Sequence, residues 1–248
     1  MAKKIGILGA GKLGTVLGQL ALKAGYQVYI AGSGSAEKIA LTTEILLPEA
    51  QALTAKEVLA KTDTVILALP LGKYKSLSVE QLAGKLVIDA MNYWWEVDGQ
   101  RPELTDVSSS SSELVQNYLK KSVIIKAFNH MGYHDLYDEA KPKGQNNRKA
   151  IAIVGDNKDA VQKVAVIVDD FGFDPLDEGS LMQGIRMEPG SPVFGANLKY
   201  NELKERLLSF ETTKRGAAAK KAGNPAVKKI DDNETKYEVR VDEKKMIR

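Results

Sequence analysis

The string Gly9-Ala10-Gly11-Lys12-Leu13-Gly14 constrains this chain more than any other feature. A short apolar run, residues 5–8, precedes it and reads as a buried strand. Residues 12–24 follow, with Leu13, Val16, Leu17, Leu20, Ala21 and Ala24 at helical spacing and Gly25 as a stop. In that context each glycine has a physical task. Gly9 permits the tight turn, Gly11 lets backbone approach a pyrophosphate, and Gly14 lets the helix pack closely on the strand. The helix tip then offers unpaired N–H groups and a partial positive charge to phosphates.

The rest of the chain continues the alternation. Residues 27–31, 50–53, 64–69, 86–90, 123–127, 149–154 and 173–176 read as strands, and residues 36–47, 55–61 and 158–171 as helices. The segment 92–107 reads as loop. Ser108 to Ser112 stand before Glu113, Leu114, Val115, Tyr118 and Leu119, an N-cap arrangement that predicts a helix start, with a solvated linker as the alternative. Strands and helices at this spacing predict an α/β, Rossmann-type, doubly wound and mostly parallel sheet. Residues 1–155 would form the nucleotide-binding domain, 156–198 a small C-terminal cap completing it, and 199–248 a basic, partly disordered extension.

Charge supports that last division. Residues 199–248 hold 14 Lys and Arg against 9 Asp and Glu, whereas the remainder holds 21 against 23. The acids are interleaved with the bases and aromatics are few, so a solvated extension is expected rather than a nucleic-acid site. Cysteine is absent, which removes disulfides, thiolate nucleophiles and cysteine-ligated metal clusters. No apolar stretch is long enough for a membrane span or a signal peptide. A soluble cytoplasmic protein without membrane partners is the expectation.

The nucleotide is read from the end of the second strand. An NAD-specific site places an acid there to bind the ribose 2′-hydroxyl. This chain has Ala31-Gly32-Ser33-Gly34-Ser35, and its first acid, Glu37, already lies in the following helix. Serine hydroxyls, exposed N–H groups and Lys38 would attract a 2′-phosphate, so NADP(H) is the expected cofactor.

Four further stretches carry a resemblance: Ala68-Leu69-Pro70-Leu71, Ile88-Asp89-Ala90-Met91-Asn92-Tyr93-Trp94, Lys126-Ala127-Phe128-Asn129-His130 and Asp177-Glu178-Gly179-Ser180-Leu181. In this order and spacing the chain resembles the NADPH-dependent reductases of the deazaflavin coenzyme F420, over residues 3–197. The resemblance implies a homodimer and hydride transfer between NADPH and a deazaflavin-like or other small electron acceptor. It implies that Gly9, Ala10, Gly11, Lys12, Leu13 and Gly14 line the pyrophosphate turn. Ser33, Gly34, Ser35 and Lys38 would hold the 2′-phosphate. Leu69, Pro70 and Leu71 would meet the ribose side, and Ala90, Met91 and Asn92, with Ala127 and Asn129, the nicotinamide. Gly34 stands where family members commonly have arginine, and Tyr93, Trp94 and Trp95 form an insertion on the substrate side. Two rival readings remain open at this point: a reductase of an imine, carbonyl or metal chelate, and a non-catalytic NADP(H)-sensing or partner-binding module.

No residue is assigned as catalytic and no metal is expected. Hydride transfer between two cofactors needs orientation and dryness rather than a nucleophile. His130 and His134 are spaced i, i+4, but Gly132 lies between them and no third ligand is evident. His130 either serves the nicotinamide or is a hydrogen-bonded structural residue. Asn92 either binds the carboxamide or caps its loop. The three aromatics either stack on a flat substrate or make a dimer or lid contact. Asp89 is expected to bond neighbouring backbone. Arg101 and Arg186 either meet an anionic substrate or form salt bridges.

Overall fold

The computed structural model describes residues 3–227. Its first six strands form one parallel sheet: β1 (Lys4–Leu8), β2 (Gln27–Ala31), β3 (Gln51–Ala52), β4 (Thr64–Leu67), β5 (Leu86–Asp89) and β6 (Val123–Lys126). Their order is β3-β2-β1-β4-β5-β6, the doubly wound arrangement, in which chain direction across the sheet reverses between β1 and β4. Register is set by alternation. Ile7 lies opposite Ile30 and Ile66, and all three face one core, while Leu8, Ala31 and Leu67 face the other. Both faces are thus apolar, as strands covered by helices on both sides require.

On one face α1 (Lys12–Lys23) and α9 (Lys158–Asp170) bury Leu17, Leu20, Val161 and Val164. On the other, α3 (Ala55–Lys61) and α7 (Ser111–Tyr118) contribute Val58, Leu59 and Val115. The serine run ends as the N-cap motif expected: Ser110 and Glu113 form a capping box at the start of α7. Ser110 and Ser112 are fully buried rather than part of a solvated linker.

Three features depart from the expectations. The segment 92–107 holds two four-residue helices, α5 (Trp95–Asp98) and α6 (Pro102–Thr105); one turn is too short to show a period. Strands β7 (Ala150–Ile153) and β8 (Asp174–Asp177) pair with each other as a separate parallel sheet. A single antiparallel bridge between Lys126 and Val154 joins that pair to the main sheet. Residues 199–227, expected as the start of a solvated extension, include α10 (Tyr200–Leu208) and α11 (Lys214–Lys221). Leu203 and Leu207 of α10 lie in the second core and Phe210 in a third small one. Burying these side chains outweighs the solubility of the lysines around them. The remainder of the expected extension, 228–248, lies outside the described residues. Among the described residues no helix is long and apolar enough to cross a membrane.

Candidate functional site

The cleft begins where β1 and β4 end. Gly9 has φ +120, and a Cβ there would stand 2.2 Å from the Ala68 carbonyl oxygen. At Gly14 a Cβ would stand 1.8 Å from the Gly9 carbonyl oxygen, so only glycine lets α1 seat against the turn. Gly11 differs: a Cβ there would meet nothing within 4 Å. Its missing side chain leaves open space at the tip of α1. That tip carries no side-chain cap and no acid in its first turn, so its N–H groups remain available to an anion.

Two cavities flank this tip and share Ala68, Leu69 and Pro70. The first, about 540 Å³, is lined by Gly9, Ala10, Gly11 and Ser33 on one side and by Lys73, Ser76, Ser78 and Gln81 on the other. The second, about 570 Å³, is lined by Lys12, Leu13, Ala90, Met91, Asn92, Trp94, Val97, Asp98 and Tyr133. Together they span the ends of the strands on either side of the β1/β4 reversal, where open α/β sheets bind their ligands.

Other candidate residues stand outside these walls. Gly34, Ser35 and Lys38 are exposed just beyond Ser33. Gly34 has φ +99, and the position of its absent Cβ lies 3.3 Å from the Lys38 ammonium. Lys38 therefore stands over the spot from which an arginine side chain would start. The nearby Ser35 hydroxyl holds the Glu37 carboxyl below its ordinary range. Gly14 is buried beneath the turn, while Leu71 and Ala127 are fully buried and line neither cavity. Among the described residues Lys73 is the one charged residue lining the first cavity. Sequence reasoning missed it, and no local signal marks it, because only the packing of the segment after β4 brings it across the cleft.

Behind the second cavity lies a hydrogen-bonded polar layer. Asn92 Nδ2 donates to the Asn129 carbonyl at 2.8 Å, and Asn129 Nδ2 donates to Asn92 Oδ1 at 3.1 Å and to the Met187 carbonyl at 2.8 Å. The asparagines thus tie the end of β5 to the turn after β6. Phe128, fully buried with φ 64, makes that turn in a region non-glycine residues seldom occupy. Beneath Asn92, Asp89 accepts from Met91 N–H at 2.9 Å, as expected of it, and also from Ser112 Oγ and Lys126 Nζ. Lys126 and Asp89 are an ion pair with no solvent exposure, and Lys126 donates on to the Met91 carbonyl at 3.2 Å. Sequence reading did not single out Lys126, since a lysine in a strand is usually a surface residue.

The remaining candidates serve mainly as struts. His130 Nε2 accepts from Ala152 N–H at 3.0 Å, and burial lowers its pKa to about 4. Arg186 pairs with Glu211 at 2.9 Å, and Arg101 Nε donates to the Asp98 carbonyl at 3.2 Å. Asp98 accepts from both Gly72 N–H and Trp94 N–H, at 2.8 and 2.9 Å, and so latches the tryptophan loop to the segment after β4. Among the described residues no group of three His, Asp or Glu side chains is placed to hold a metal.

Strand order and the flanking helices define an α/β protein of the Rossmann-type fold. Comparison with known proteins narrows the class. The family model described as NADP oxidoreductase, coenzyme F420-dependent, matches residues 4–93. The F420-dependent NADP reductase of Methanocaldococcus jannaschii is 30% identical over 156 residues, covering 60% of this chain and 68% of that protein. The chain belongs to this family of coenzyme F420-dependent NADP oxidoreductases. Metalloreductase STEAP3 of Rattus norvegicus is 28% identical over 190 residues, 75% of this chain, although the chain spans only 36% of that protein. A hypothetical protein of Sinorhizobium meliloti, SMa0349, superposes with a TM-score of 0.69 at 26% identity, covering 80% of this chain and 96% of that one.

Proposed function

We propose that the chain binds NADP(H) across the two cavities and transfers a hydride between the nicotinamide and a deazaflavin-like, coenzyme F420 type or other small acceptor. The observation that carries this reading is the uncapped tip of α1 beside Gly11, flanked by two cavities that share Ala68, Leu69 and Pro70 as wall. Backbone N–H groups of residues 12–14 would take the pyrophosphate. Ser33 and Ser35, with Lys38 over Gly34, would take the 2′-phosphate. Leu69 and Pro70 would support the ribose, with Leu71 holding them from the core.

Ala90, Met91 and Asn92 would receive the nicotinamide, which when bound supplies or accepts the hydride. Asn129, Ala127 and the Asp89–Lys126 pair lie behind and would fix that wall. The hydride step needs no nucleophile from the protein, whose contribution to it is orientation and exclusion of water. The acceptor would be a small molecule, and a homodimer is the assembly the family resemblance implies.

Calorimetric titration with NADPH and NADH tests the assignment. NADPH should bind the tighter, and Lys38→Glu should weaken it by roughly 10- to 100-fold while leaving NADH nearly unchanged, because a like charge then faces the 2′-phosphate. Equal affinity for the two overturns the choice of nucleotide. Absence of saturation with either overturns the site. Steady oxidation of NADPH with a deazaflavin would separate an enzyme from a sensor.

A further inference from the structure

We propose that two copies of this chain join through α2 (Glu37–Leu46), each laying the outward face of that helix against a groove between α2 and α8 (Tyr133–Asp138) of the other. Of the ten residues of α2 only Thr43 is buried. Leu41 and Ile45 are 68% and 67% exposed, and Leu46 is exposed beside them. The groove, about 430 Å³, is lined by Leu46, Val16 and Tyr137, the last also exposed. Ten large hydrophobic side chains are exposed among the described residues, and four stand on this one face. Such a cluster marks an interface rather than ordinary surface.

Charge says what covers it. Successive residues of a helix turn by about 100°. With Thr43 pointing inward, Thr42 and Leu46 turn toward the groove and Leu41 and Ile45 point outward, while Glu37 and Glu44 turn to the opposite flank. The groove carries Lys12 and His134 and no carboxylate, and the Lys12 ammonium stands 5.4 Å over the Tyr133 ring. Lys38, the remaining charge of α2, stands over Gly34. Neither Lys12, Glu37 nor Glu44 belongs to an ion pair among the described residues. One flank of the patch is thus acidic and the other basic, and both lack a counter-charge. A lipid surface would call for a basic rim alone. A second copy of the chain matches both flanks at once.

Symmetry then selects the arrangement. A two-fold axis running along α2 lays Leu41 and Ile45 of one copy on those of the other and exchanges the flanks. Glu37 and Glu44 of each copy thereby come over Lys12 and His134 of the other. An axis running across α2 would set acid against acid. Gly11 also lines the groove, so the second copy would form an outer wall beside the α1 tip. The interface gives the homodimer of the proposed function a face, and follows from the surface of α2 rather than from nucleotide binding.

Sedimentation velocity of the full chain at micromolar concentrations should show a reversible monomer–dimer equilibrium. Ile45→Glu should weaken it at least about tenfold, and Glu44→Lys about threefold. Both variants should keep the wild-type circular dichroism, since both side chains are exposed. Adding His134→Glu to Glu44→Lys should recover part of the loss; the two residues lie on opposite sides of α2 within one copy, so they can pair only between copies. The chain has no cysteine, which allows a single one to be placed. With a short bis-maleimide, Leu41→Cys should cross-link two copies, and Val166→Cys, also exposed but on α9, should not. A chain that stays monomeric, a dimer insensitive to Ile45→Glu, a Glu44→Lys loss that His134→Glu leaves untouched, or absence of cross-linking through Leu41→Cys overturns the proposal. So does a monomer that sediments with phosphatidylserine vesicles, which would give the face to a lipid surface. A dimer weakened by Ile45→Glu in a chain that binds neither NADPH nor NADH would overturn the proposed function and leave the interface standing.

Discussion

At the scale of single residues, the glycine turn separates folding from binding. At Gly11 an added methyl meets empty space and φ is −84, so Gly11→Ala should leave the melting temperature unchanged or slightly raised. The same methyl occupies the room proposed for the pyrophosphate, and NADPH affinity should fall about tenfold or more. Gly14→Ala, by contrast, drives a methyl into the Gly9 carbonyl and should lower thermal stability whether or not nucleotide is present. Thermal melts with parallel NADPH titrations check both. Lys73→Met offers a further test. Among the described residues Lys73 is the lone charge lining the cavity where Ser33 would meet the 2′-phosphate, so its loss should weaken NADPH several-fold more than NADH; equal loss would mean that Lys73 serves another part of the nucleotide or the wall. The turn was legible because its three glycines, Gly9, Gly11 and Gly14, all lie within one short stretch of sequence. Lys73 was not, because its relation to Ser33 exists only after β4 and the segment beyond it have packed.

At the scale of elements, the Asp98 latch and the buried ion pair carry the most consequence. Asp98 holds Gly72 and Trp94 at once, so the wall of the nucleotide cleft and the tryptophan loop are mechanically joined. Asp98→Ala should accelerate amide hydrogen exchange across residues 93–101 while the sheet keeps its protection. Lys126→Met should cost about 3–5 kcal/mol in denaturant unfolding, because Asp89 would be left buried and unpaired. Adding Asp89→Asn should recover part of that loss. Most strands, α1, α3, α9 and the capped start of α7 could be read from periodicity and capping residues. The short helices α5 and α6 could not, since four residues reveal no period. Nor could α10: its apolar Leu203 and Leu207 are i, i+4, but the charged residues around them read as a solvated run.

For the whole molecule, His130 links stability to pH. It is fully buried and accepts a hydrogen bond from β7, and its folded pKa, about 4, lies below its ordinary 6.5. Between those values the unfolded chain binds a proton that the folded chain refuses. Stability should therefore fall as pH drops from about 6.5 toward 4, by about 3 kcal/mol in all from this residue. Chemical denaturation at several pH values should show that slope, and His130→Gln should flatten it.

The perimeter of the two sheets bears on how copies of the chain could meet. Strand β3 is two residues long, β8 carries Pro175 between Asp174 and Asp177, and the last residue of β6 is already bridged by Val154. Short, proline-bearing or covered borders give a neighbouring backbone no template to extend. Self-association of this protein would therefore proceed through side-chain surfaces, leaving each sheet's strand count as it is in one copy.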